Sequence, residues 1–139
     1  MTTRTPIGAL HQLRESAVRL ADPQADIRGK KVVDREGAQL GKVEDLLVDD
    51  QEQRVRFVQV ASGGILGLGK ERFLLPVESV GEIRGEMVRV RQSRERVTGS
   101  PRYDPDLVEQ PYLSEVYRYY GYTTPFWDSG YVYPRYPYL

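Results

Sequence analysis

Between residues 26 and 92 the apolar residues come in short runs, each closed by a turn signal, and this spacing constrains the fold more than any other feature of the chain. Lys30-Lys31-Val32-Val33 reads as a short strand, followed by the turn Asp34-Arg35-Glu36-Gly37. Leu40 to Val48 is apolar without clean alternation. Leu40, Leu46 and Val48 share one parity and Val43 and Leu47 the other, which predicts a bulge or a strand buried on both faces. Asp49 to Gln53 is a polar turn. Arg54 to Ala61 is the strongest strand, with Val55 and Phe57 on one face and Val58 and Val60 on the other. A glycine-rich connection, Ser62 to Lys70, leads to a strand from Arg72 to Val77, which Pro76 marks as an edge or a strand end. Ile83-Arg84, Gly85-Glu86 and Met87 to Arg91 form a hairpin whose second strand alternates wet and dry. Short strands with turn signals every ~8–12 residues predict a mainly β domain, a small barrel or a sandwich.

The flanks follow other rules. In residues 1–25, Ile7, Leu10, Leu13, Ala17 and Leu20 recur at helical spacing, but Leu13, Val18 and Leu20 equally suit an extended arm, so helix and arm both stay open. Residues 93–127 read as a connector and a C-terminal helix. Glu95-Arg96-Val97 makes a helical turn that Gly99-Ser100-Pro101 stops. A second helix starts at Gln110-Pro111 and carries Leu113, Val116, Tyr117 and Tyr120 as one stripe before Gly121 ends it. Residues 128–139 are Gly, Tyr and Pro with almost no aliphatic side chain, and an extended or flexible tail is expected.

Composition narrows the chemistry. A chain of 139 residues is one domain with tails. With no cysteine and one histidine, a disulfide framework, a cysteine nucleophile, a thiolate metal site and a multi-histidine site are excluded. The first 30 residues hold no apolar core of leader length, and the longest uncharged apolar-leaning run, Val58 to Gly69, is far short of the ~20 residues of a membrane helix. No membrane insertion and a cytoplasmic location are expected.

The motifs with known chemistry fail on inspection. Gly64-Ile65-Leu66-Gly67-Leu68-Gly69-Lys70 matches the start of a phosphate-binding loop. The residue after the lysine is Glu71 rather than Ser or Thr, and a strand-like run follows instead of a helix. The expected role is a loop between strands, with Ile65, Leu66 and Leu68 capping the barrel end or contacting a partner. Asp45, Asp49, Asp50 and Glu52 do not fit a calcium loop, because Arg54 stands where its glycine belongs. His11 has no cooperating residue, and no Ser-centred elbow occurs. No catalytic residue, metal or cofactor is assigned, and no enzyme is expected.

Two uneven distributions remain. Arg54, Arg56, Arg84, Arg89, Arg91, Arg94 and Arg96 enrich the second half of the β region, with Glu44, Asp49, Glu82 and Glu86 as cross-strand partners on a mixed-charge wet surface. All 10 tyrosines lie from Tyr103 onward, beside the one tryptophan, Trp127. Residues 1–102 carry 18 Lys and Arg against 15 Asp and Glu, a net +3, and the remainder a net −3. Tyr and Trp concentrate at interfaces, so the stripe either packs on its own barrel or reaches a second molecule.

Asp26-Ile27-Arg28-Gly29-Lys30-Lys31-Val32-Val33-Asp34, then Gly37 and Leu40-Gly41-Lys42-Val43-Glu44-Asp45-Leu46, resembles the PRC-barrel family, named for the C-terminal barrel of the photosynthetic reaction centre H subunit. The likeness continues through Phe57-Val58-Gln59-Val60, Phe73 to Val77 and Val88-Arg89-Val90. Ser100 to Pro105, Tyr119 to Tyr122 and Phe126-Trp127 are similar to the tail of stand-alone bacterial members. The resemblance covers about residues 26–127 and implies a small, mostly antiparallel β-barrel with a short C-terminal helix and an aromatic tail.

Members of the family include the H subunit, whose barrel caps a membrane complex, and the ribosome maturation factor, whose barrel helps hold a ribosomal protein. The 139 residues contain neither the membrane helix of the first nor the preceding domain of the second, so the shared use is the one expected: a barrel that holds another protein. The reading is a non-catalytic interaction or scaffold module, self-associating as a homodimer, with any other protein partner open. Leu113, Tyr117, Tyr120, Tyr122, Phe126 and Trp127 are the candidate docking side chains, with Ile65, Leu66 and Leu68 as a second apolar contact. Gly29, Gly37 and Gly41 are expected to be turn residues. The alternatives are an accessory subunit of a membrane photosynthetic or electron-transfer complex, and a ribosome- or nucleic-acid-linked binder using the arginine-rich face. At a pI of about 6.6, nucleic acid is not the expected partner.

Overall fold

Seven strands and two helices follow one another in the computed structural model, which describes residues 10–13, 20, 23–49, 54–63, 71–101, 103, 110–122 and 136. The strands are β1 (Leu10–Gln12), β2 (Lys31–Val33), β3 (Gln39–Asp49), β4 (Val55–Ser62), β5 (Glu71–Pro76), β6 (Val80–Arg84) and β7 (Met87–Val90). The helices are α1 (Arg94–Thr98) and α2 (Gln110–Tyr119), and single 3-10 turns occur at Pro23–Ala25 and Val77–Ser79. The strands lie side by side in the order β5-β4-β3-β2-β7-β6, with β1 also on β3. All neighbours are antiparallel except β2 and β7, which run parallel. A parallel pair needs a long crossover, and β3 to β6 supply it. The sheet curls into a half-barrel, mixed at that one pairing.

The irregular run in β3 has the expected cause. Its ladder to β4 shifts register between Val43 and Asp45 and again between Leu47 and Val48. Val43, Leu46, Leu47 and Val48 are all buried, so successive side chains of this strand enter covered space on both faces. In β4 the burial is continuous from Val55 to Val60. Arg56 therefore does not share a wet face with Arg54, as the sequence pattern suggests; it is 4% exposed, because both faces of β4 are covered along this stretch. Residues 10–12 of the N-terminal segment are an extended arm on β3, which settles that stretch as strand.

Asp34 ties the first turn to the first helix. Its Oδ1 accepts the backbone N–H groups of Glu36 and Ala38 at 2.8 Å, and its Oδ2 accepts that of Arg94 at 3.0 Å. Burial works against the charged form, but the backbone donors of Ala38, Arg94 and Glu36 outweigh it and hold the carboxyl below its ordinary 3.8. A carboxylate depressed in the folded state stabilises above its unfolded pKa and loses that contribution as pH falls through the folded value. Asp34→Asn is therefore expected to lower the urea midpoint clearly at pH 7. The gap to the parent should narrow at pH 3, and an equal gap at both pH values would show that the charge is not the source.

Candidate interaction site

The aromatic stripe of α2 packs into the core against β5 and β4. Leu113, Val116 and Tyr117 fall at i, i+3 and i+4 and are at most 2% exposed. The helix ends in two reversed bonds, Tyr122 N–H to Tyr117 O at 3.0 Å and Gly121 N–H to Arg118 O at 3.1 Å, with Gly121 at φ +83°. Only a residue free to adopt that backbone completes this cap cheaply, which is why glycine stands there. The edge of the Tyr117 ring meets Phe57 of β4, centroids 5.4 Å apart at 71°, and its hydroxyl donates to Glu78 Oε2 at 3.1 Å. Tyr122 stands edge-on to Tyr117, and its hydroxyl lies 3.3 Å from both Ser79 Oγ and Gln92 Nε2.

A second group joins α2 to α1. Tyr119 donates its hydroxyl proton to Arg96 O at 2.6 Å, Arg96 Nη2 donates back to Tyr119 O, and the guanidinium lies 4.4 Å above the Tyr119 ring. Tyr103 and Tyr112 stack at 6.1 Å, and Tyr136 bonds Ala25 O. Burial pushes the Tyr120 hydroxyl up to about 12 and the Tyr112 hydroxyl higher still, so both stay neutral at any working pH.

Of the docking candidates, then, Leu113, Tyr117 and Tyr120 are buried in the chain's own core and Tyr122 is half-buried against it. Phe126, Trp127, Ile65, Leu66 and Leu68 lie outside the described residues. Gly29 (φ +87°) and Gly37 (φ +93°) sit in turns as expected. Gly41 does not: it lies inside β3, where a side chain would begin 2.1 Å from Ala61 O of β4.

The arginines do not make one field. Arg72 makes a two-pronged pair with Glu44, at 2.6 and 3.3 Å, and Glu44 also accepts Gln59 Nε2 at 2.6 Å. Gln59 in turn takes the Gln12 amide at 2.9 Å, so a polar chain runs from β1 to β5. Arg89 approaches Glu82 at 3.8 Å as the strand pairing suggests, while Glu86 stands near Lys30. An open cleft of about 890 Å³ lies where the start of β3, the end of β4, the start of β5 and α1 converge. Lys42, Glu44, Glu71 and Arg94 give its walls both signs of charge, beside the apolar Leu40, Val43 and Phe73. Among the described residues no group of three or more acidic or histidine side chains could hold a metal ion, and no helix is long and apolar enough to cross a membrane.

The sheet's two borders differ. β5 has α1 and α2 packed on it. β6 bonds β7 on one side, and no described strand bonds its other side. Its residues Gly81, Ile83 and Arg84 are exposed, and Ile83, at 38%, is the exposed large apolar side chain among the described residues. Alternation alone gave no sign of this strand's position, because edge and interior strands of a small barrel share one pattern.

A family model for the PRC-barrel domain matches residues 22–97, from the turn before β2 through α1, and leaves α2 outside the match. No curated protein matches the chain.

Proposed function

The chain belongs to the PRC-barrel family, and on that premise we propose that it is a non-catalytic interaction module that self-associates as a homodimer in the cytoplasm. The observation that carries this reading is the contrast between the two borders of the sheet. The aromatic helix, which as a free surface would invite a partner, is spent on the chain's own core. What is left is the β6 border, a row of backbone donors and acceptors with one apolar side chain exposed beside it. An edge of this kind is a template for another strand. Asp34 and Glu44 are engaged in holding backbone N–H groups and an arginine, which fits a structural use of these two carboxylates. The absence of cysteine suits a reducing compartment.

Light scattering over a range of concentrations tests the reading. A species of twice the 15.9 kDa chain mass is expected to grow with concentration. A monomer at every concentration overturns self-association.

A further inference from the structure

We infer that two copies of the chain join through β6, antiparallel and centred on Ile83, so that the two half-barrels form one continuous sheet. The inference rests on the self-association proposed above and names its surface and register. In the hairpin, Arg84 pairs with Met87 across the two-residue turn Gly85-Glu86, Ile83 with Val88 and Glu82 with Arg89. The pair that closes a two-residue turn exchanges hydrogen bonds, and bonded and non-bonded pairs then alternate. Ile83 therefore turns its N–H and C=O away from β7, toward the open side. A second strand must bond to these groups, so only registers that match outward-turned residues to one another are possible.

Charge selects among those registers. With the two-fold axis through Ile83, Glu82 of one copy stands opposite Arg84 of the other, twice over, and the two Ile83 side chains meet. One step either way, the axis passes through Glu82 or Arg84 and opposes like charges, which is destabilising across a ladder. The segment Glu82-Ile83-Arg84 is thus self-complementary in one register. Ile83 lies opposite Val88, which is fully buried, so its side chain is on the core face of the sheet at the rim. Pairing at Ile83 carries that apolar face across the two-fold axis. Glu82 and Arg84 already attract each other within one strand, at 3.1 Å, with side chains 43% and 78% exposed, and both are placed to exchange partners.

The cysteine-free chain permits a direct test. In this register the two Ile83 Cα atoms are about 5.5 Å apart, inside the range a disulfide spans. Ile83→Cys is expected to give a covalent dimer under mild oxidation, while Glu36→Cys, in an exposed turn, gives none at the same concentration. Charge reversal supplies the second measurement. Glu82→Arg should raise the dimer Kd by ~10-fold or more, and adding Arg84→Glu should bring it back to within ~3-fold of the parent, because the pair is then restored with its signs exchanged. If the parent dimerises but Ile83→Cys cross-links no faster than Glu36→Cys and the charge variants keep the parent Kd, the interface lies elsewhere and the homodimer reading stands. If the parent is monomeric throughout, both fall.

Discussion

Gly41→Val is expected to destabilise the fold severely, through a clash that no side-chain movement relieves. A Cβ at this position would sit 2.1 Å from Ala61 O, 2.8 Å from Ala61 C and 3.0 Å from Ser62 Cα. All three are backbone atoms of β4, held by the ladder that pairs Lys42 with Ala61, so no rotamer change relieves the contact. The backbone itself, at φ +156°, is one that side chains of L residues seldom adopt. Relief requires β3 and β4 to part at the point where β3 also shifts register against β2. A cost of about 3–5 kcal/mol is the range in which overpacking and strain act together, and it is comparable with the whole stability of many domains of this size. Gly37→Ala is the control. Its φ of +93° is also left-handed, but a Cβ there meets nothing within 4 Å, so the loss should stay at about 1–2 kcal/mol. Thermal unfolding of the two variants separates close approach from backbone strain, and equal losses would show that the contact with Ala61 is not the constraint.

The same residue shows where the sequence stops being informative. Gly41 sits between Leu40 and Lys42 near a turn, and locally a glycine there looks like turn chemistry. The reason for it is a strand from elsewhere in the chain, which no local pattern contains. Arg56 is a parallel case: alternation places it beside Arg54 on a wet face, but burial is decided by what the rest of the chain lays over each face of the sheet, and both faces of β4 are covered from Val55 to Val60. Signals that act within a few residues were legible. The Asp34 turn, the Gly85-Glu86 hairpin, the Gln110-Pro111 helix start and the Gly121 stop all stand where composition and spacing put them. The aromatic stripe was legible as a stripe, yet its destination was not, since a face that packs in cis and one that packs on a second molecule have the same periodicity. The β6 border had the weakest signal of all. It depends on strand order, and its self-complementary charges stand out only once the strand is known to be an edge.

Tyr117→Ala decides whether the stripe serves the fold or a partner, and a loss of about 3–5 kcal/mol is expected. The side chain is 2% exposed, meets Phe57 edge-on and reaches Glu78 through its hydroxyl. Truncation removes a ring from the seam between α2 and β4, where neither the helix backbone nor a central strand can collapse into the space. For a chain of this length the Tm should fall by roughly 10–20 °C. Tyr117→Phe keeps the ring and deletes only the hydroxyl bond, so its loss should be near 1 kcal/mol. The two variants together separate packing from hydrogen bonding. Because α2 is packed on its own barrel, neither change should alter the subunit Kd measured on the folded fraction. A truncation ending at Arg102 goes further: it strips Leu113, Val116, Tyr117 and Tyr120 from the core together, and the remaining half-barrel should bind a hydrophobic dye and unfold without cooperativity. The opposite pattern, an unchanged Tm with a dimer converted to monomer, would move these side chains from the core to the docking surface.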